Sequence, residues 1–290
     1  MNRFKEEAGF VSERGYDALV GMRHTARTLA CVLAATVAAA SSSACSGDGS
    51  ERGEAGTRAT RVVWTGDYES GDFNQWEGIL REAESPGTAQ IVRKPVAQGR
   101  YAARFILGPQ TSFSGSRIEA HQGSVETSGG IYGSETWYSW AEFVPSSATF
   151  ARHVSFNHLV QWHPAVECFG AALSVNGLTR PVRLVFNVRG GDILRYGGSC
   201  DLRYERAFDL GPLPRDRWLR FRLRIKWHAD PSVGFIELWM NGGRKIKRTY
   251  VATAPPDVHH YVRQGIYRFQ CGACRTVVYG DAMTVKQVVP

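Results

Sequence analysis

Long amphipathic helices are missing from this 290-residue chain: no extended stretch carries apolar residues at a 3.6-residue period. That excludes a helical bundle and an alternating βα architecture. Also missing is an apolar run of the ~20 residues that a membrane-spanning helix needs, since the run at residues 29–40 is too short. A second close cysteine pair at zinc-binding spacing is absent. The single pair, Cys271-Gly-Ala-Cys274, has no thioredoxin-like βαβ setting, so closing a loop outranks metal or redox work. Nowhere do carboxylates fall in the Glu-x-Asp-x-x-Glu-like pattern that a jelly-roll glycoside hydrolase would need. Acidic residues are in deficit, 27 Asp and Glu against 35 Lys and Arg, for a net charge of +8. That excess suits an anionic partner, although solubility alone would also account for it.

What is present begins with a targeting segment. Met22, Arg23, His24 and Arg27 form a short basic start. Residues 29–40 are apolar and Ala-rich, and Ser41-Ser42-Ser43-Ala44-Cys45 is a small-residue cleavage region. Residues 1–21 read as an extension upstream of a start at Met22. Ser43-Ala44-Cys45 is similar to a bacterial lipobox, with Ser42 in the place of the usual aliphatic residue. Cys45 is therefore expected to carry lipid, with a soluble secreted protein as the other outcome. The expected order is extension, signal and lipobox over 1–45, a polar tether over 46–60, and one folded domain over 61–290. Such a product is exported, extracellular or held on a bacterial cell surface, and meets the membrane only through its anchor. Export argues against nucleic acid as the anionic partner. Cys31 lies in the signal, and the even number that remains beyond Cys45 predicts two disulfides, Cys168–Cys200 and Cys271–Cys274.

From Arg61 onward, turn residues punctuate short apolar and aromatic runs, which predicts strands near 61–64, 102–107, 136–144, 155–163, 183–188, 218–227, 235–240, 261–269 and 276–285. Many short strands without helices make an all-β sandwich or barrel. In the run from Leu219 to Trp227, Leu219, Phe221, Leu223, Ile225 and Trp227 share one face, and Arg220, Arg222, Arg224 and Lys226 share the other. The basic row is expected to be a solvated outer face, with a grip on a polyanion as the alternative.

Three segments could carry chemistry. Around Asn157-His158-Leu159-Val160-Gln161-Trp162-His163, strict alternation sends His158, Val160 and Trp162 to the core and leaves Asn157, Leu159, Gln161 and His163 opposite. In Tyr261-Val-Arg-Gln-Gly-Ile-Tyr267, the same period aligns Tyr261, Arg263, Gly265 and Tyr267; Gly265 either bares the backbone for a ligand or marks a bulge. In Ser116-Arg-Ile-Glu-Ala-His121, Arg117, Glu119 and His121 share a face, where Arg117 and Glu119 could simply pair.

Together, Arg117/Glu119, Gln161/His163 and Arg263/Gly265/Tyr267, in that order, resemble the motifs of the heparin lyase I-like polysaccharide lyases, relatives of alginate and glucuronan lyases. Tyr68-Glu-Ser-Gly-Asp72 with Trp76, residues 218–242 and Val278-Tyr-Gly-Asp-Ala282 extend the likeness over roughly residues 62–285. Arg263 stands where that family has Lys, which keeps the charge and changes its geometry. The resemblance implies a concanavalin-like β-jelly-roll sandwich of two antiparallel sheets. It also implies β-elimination on a uronic-acid-containing polysaccharide by a monomer. Gln161 and Arg263 would neutralise the carboxylate, and Tyr267 would protonate the leaving oxygen. His163 would be the base, or a second neutraliser with Tyr267 in both proton roles. Arg117, Glu119, Asn157, Asn187 and Arg189 are expected to bind substrate, and Arg189, Arg195 and Arg203 could recognise sulfate. The chemistry requires no cofactor. A structural Ca²⁺ on Glu69, Asp72 and Asp281 is a further implication. The alternative is a non-catalytic, lectin-like carbohydrate-binding surface lipoprotein on the same sandwich.

Overall fold

The computed structural model describes residues 58–82, 87–110, 115–154, 157–196, 199–269 and 271–289, and the side chains of Tyr196 and Ser199 are outside that description. The expectations for the extension, signal, lipobox and most of the tether lie outside the described residues, as do Ser155 and Phe156 of one predicted strand.

In chain order the strands are β1 (Thr60–Gly66), β2 (Gly78–Arg81), β3 (Gly87–Val92), β4 (Ala102–Leu107), β5 (Ser116–Gln122), β6 (Glu135–Phe143), β7 (Asn157–Pro164) and β8 (Ala171–Asn176). There follow β9 (Arg183–Tyr196), β10 (Ser199–Pro212), β11 (Trp218–Lys226), β12 (Phe235–Met240), β13 (Gly243–Tyr250), β14 (His260–Arg268) and β15 (Thr276–Val288). A single helical turn, α1 (Val125–Ser128), ends on Gly129 in the left-handed region. One sheet runs β13-β12-β11-β6-β15-β4-β3, with β1 also paired to β15; the other runs β10-β9-β8-β7-β14-β5-β2. All the pairings are antiparallel. This is the expected jelly-roll sandwich.

Alternation explains why the two sheets meet. On β11, Leu219, Phe221, Leu223 and Ile225 are buried, while Arg220 and Arg222 are exposed. Each such aliphatic or aromatic side chain contributes roughly 1.5–3 kcal/mol when taken from water. Across the core, Trp162 of β7 meets the edges of Tyr138 and Trp140 of β6, with ring centroids 5.2 and 5.3 Å apart. The basic row of β11 faces outward from the eight-stranded sheet, so it lies away from the three candidate segments, which belong to the other sheet.

Both expected disulfides are present. Cys168–Cys200 ties the β7–β8 connection to the start of β10, and Cys271–Cys274 closes the β14–β15 turn. Among the described residues no helix is long and apolar enough to cross a membrane.

Candidate active site

β14 lies in the middle of the seven-stranded sheet, between β5 and β7. Val262 and Ile266 enter the core, so Tyr261, Arg263, Gly265 and Tyr267 face outward. The register on one side sets Arg263 opposite His121, Gly265 opposite Glu119 and Tyr267 opposite Arg117. On the other side it sets Tyr261 opposite His163 and Arg263 opposite Gln161. The three segments singled out in the sequence thus form three adjacent strands of one face.

The first cluster surrounds Arg263. Gln161 Nε2 donates to Glu119 Oε1 at 2.6 Å, and Arg263 Nη2 donates to Tyr261 Oη at 2.8 Å. His163 Nδ1 sits 2.7 Å from Pro164 O and 3.0 Å from Tyr261 Oη. A carbonyl only accepts, so Nδ1 carries the proton and Nε2 keeps its lone pair. Burial, followed by the charge of Arg263, pushes His163 down to about 3 and holds the imidazole neutral. Burial raises Glu119 against the pull of Arg263 and Arg117. Arg263 itself is 7 % exposed, yet its Nε and Nη1 donors have no partner, and neither does Glu119 Oε2. Buried donors in this state are costly unless a ligand meets them.

The second cluster surrounds Tyr267. The Arg117 guanidinium lies 4.6 Å over its ring, and Phe169 stacks on it at 6.3 Å. Gly115 packs against the phenol: a Cβ there would stand 2.7 Å from Oη. The histidine beside Tyr267 is His158, with ring centroids 5.8 Å apart. Strict alternation sends His158 to the core, but the ladder is irregular here. Gly265 and Ile266 together face Leu159, and Leu159 is an extra residue between the rungs that join β7 to β8. The bulge buries Leu159 and turns His158 onto the outer face. There His158 Nδ1 lies 2.6 Å from Ser174 Oγ, which accepts from Asn187 Nδ2 at 3.1 Å. Burial pushes His158 down to about 3. Gly265 is the visible sign of this bulge; Ser174 carries no sequence signal, and Asn187, expected to bind substrate, instead supports Ser174.

Other residues stand differently from expectation. Asn157, expected to bind substrate, is fully buried: its Oδ1 accepts from Ala151 N, and its Nδ2 donates to Ala151 O and Val175 O. Arg117 pairs with Glu82 at 2.6 Å rather than with Glu119. Asn187 and Arg189 reach the site face, but Arg189 is paired with Glu205 at 2.6 Å. Arg203 pairs with Asp192.

The residues expected to hold Ca²⁺ are each engaged with neighbouring polar groups. Glu69 accepts the backbone N–H groups of Arg100 and Tyr101, and Asp281 accepts those of Ala97, Gln98 and Ala282. Asp72 caps its own turn through Ser70 and Asn74. Among the described residues no cluster of three or more His, Cys, Asp or Glu could hold a metal ion.

The family model described as polysaccharide lyase matches residues 68–284, most of the chain and every residue of both clusters. The chain belongs to the polysaccharide lyase family. Its fold is similar to that of an endo-β-1,4-glucuronan lyase from the fungus Trichoderma reesei, with a TM-score of 0.62 at 19% identity, over 78% of this chain and 95% of that one. It is also similar to alginate lyase vAL-1 from Chlorella virus, with a TM-score of 0.46 at 12% identity, over 78% and 100% of the two chains. At these identities the likeness concerns the fold alone. No curated protein matches the chain.

Proposed function

We propose that this lyase cleaves an unsulfated polyuronate, first among them a polyglucuronate, by β-elimination on the outer face of the seven-stranded sheet. The observation that carries this reading is Arg263, a buried cation with two unpartnered donors beside a neutral histidine that keeps a free lone pair. A uronate carboxylate on this face would accept a charge-assisted hydrogen bond from the guanidinium. Once neutralised, the carboxylate can take up the charge that develops as the C5 proton leaves.

His163 Nε2 then takes the C5 proton. The C–H electron pair becomes the C4–C5 double bond, the C4–O4 bond breaks with its pair on O4, and Tyr267 Oη protonates that oxygen. Gln161 helps to orient the carboxylate, and His158, held by Ser174, flanks Tyr267 and keeps its ring in place. His163 and Tyr267 project from one face of one sheet, so a chain lying there offers both the same side. That favours a uronate whose C5 proton and O4 share a side, such as D-glucuronate, which is also the sugar acted on by the structurally similar Trichoderma reesei protein. A heparin-type substrate would need free cations for its sulfates, and of the three arginines expected for that role Arg189 and Arg203 already pair with Glu205 and Asp192, which leaves Arg195 alone.

The test is ultraviolet absorbance of the unsaturated uronate product, with the full chain against a panel of polyuronates and glycosaminoglycans. His163→Ala and Tyr267→Phe should each lower turnover by ~10²–10⁴ while the fold is retained. Normal rates in both variants would remove these residues from the chemistry. A flat trace on every polymer, with binding to one, would make the protein a lectin-like binder instead.

A further inference from the structure

A dense group of basic residues lies away from the site. Strands β11, β12 and β13 carry eight Lys and Arg residues and one Glu. That is a local excess of seven charges, against eight for the whole chain. All three strands belong to the eight-stranded sheet, so the charge faces away from Arg263 and Tyr267. A surface needed only for solubility mixes both signs.

Part of this charge is held in a form suited to a ligand. Arg224 is engaged by Glu135 and Glu237, and Arg248 by Glu237. Arg222, in contrast, is exposed and makes no ion pair among the described residues. Its guanidinium lies 4.1 Å over Trp137 and 5.4 Å over Trp239, two half-buried indoles whose centroids are 5.5 Å apart. Stacking on an indole fixes the plane of a guanidinium and leaves its N–H edges free to fork onto a carboxylate. Arg244 lies 5.2 Å over the Trp239 ring, and Lys286, also exposed, is opposite Trp137 on β15. Outward positions on one strand repeat every ~7 Å, so several carboxylates of one polymer can be met at once.

We infer that the outer face of the eight-stranded sheet binds a second stretch of acidic polysaccharide, remote from the cleaved bond and centred on Arg222 above Trp137 and Trp239. The class of ligand rests on the reading of the function given above; the surface itself does not. It raises the residence of the protein on long polymers without touching the chemistry.

The test is affinity electrophoresis of the full chain through gels containing polyglucuronate, in a Tyr267→Phe background so that the polymer stays intact. Arg222→Gln with Lys286→Gln should weaken retardation ~fivefold, as expected for two partly exposed ion pairs. A charge-matched control, Arg152→Gln with Arg180→Gln at exposed positions in the loops leading into β7 and β9 of the seven-stranded sheet, should leave it unchanged. In the active protein the same pair should raise KM on the polymer and leave kcat, and turnover of short oligomers, as they were. Equal retardation of the two double variants overturns the inference. So does Arg222-dependent capture by vesicles of anionic lipid without retardation by the polymer, which would make this face a membrane contact. Arg222-dependent retardation in a protein that cleaves no polyuronate would keep this surface and remove the catalytic reading.

Discussion

Arg263 and His163 depend on each other through Tyr261, whose hydroxyl accepts from the guanidinium and contacts the imidazole. Replacing Arg263 by Ala should lower kcat/KM by ~10²–10³, the range for losing one partner of a buried charge pair. Arg263→Lys should restore part of it, because charge returns without the fork; steady-state kinetics on the preferred polymer decides. The pH profile is the companion test. His163, depressed to about 3, loses its lone pair only as pH falls through that value. The kcat/KM profile should therefore show no inflection near the ordinary histidine value of ~6.5, and an acid limb there would assign the base elsewhere. The sequence placed Gln161, His163, Arg263 and Tyr267 on shared faces by alternation, as the strand register does, and their roles came from the resemblance alone. It hid His158, because alternation presumes an unbroken ladder, and it misplaced Asn157, whose amide serves three backbone groups.

At the scale of elements, two glycines govern the approach of β5 to its neighbours. Gly265 has φ +149° and a virtual Cβ only 2.3 Å from Ile118 O, so Gly265→Ala should push β5 away from β14 and sharply lower the melting temperature. The nearest atoms to a side chain at Gly115 belong to the phenol of Tyr267. Gly115→Ala should displace that phenol, lowering kcat with little change in melting; an unchanged kcat would mean that the phenol position is not critical. β11 was readable from its clean alternation of apolar and basic residues. β10 was not: much of it is exposed at the edge of its sheet, and its Arg, Asp and Glu residues break the apolar pattern. β2 and β3 were missed as well, being short strands at or near the edges.

For the whole molecule, acid is a structural stress. His260 is fully buried, stacks on Trp227 at 4.4 Å, and has both ring nitrogens unpartnered. Burial pushes it down to about 3, as it does His158 and His163. Below the ordinary value the unfolded chain takes up protons that the folded chain refuses, so these groups contribute fully above ~pH 6.5 and progressively less as pH falls toward 3. His260→Phe should flatten the fall of melting temperature between ~pH 6.5 and 4 without altering turnover. A slope equal to that of the parent would assign the acid sensitivity to other groups. The Cys168–Cys200 bridge bears on a different circumstance, the choice of production host. Cys168 immediately precedes Phe169, the ring that stacks on Tyr267. Without the bridge, both sheets keep their pairing while the wall beside the phenol loosens. Preparations from a reducing cytoplasm and from an oxidising periplasm should then share one circular dichroism spectrum and differ in specific activity, so purity alone would be a poor measure of how much working enzyme a batch contains.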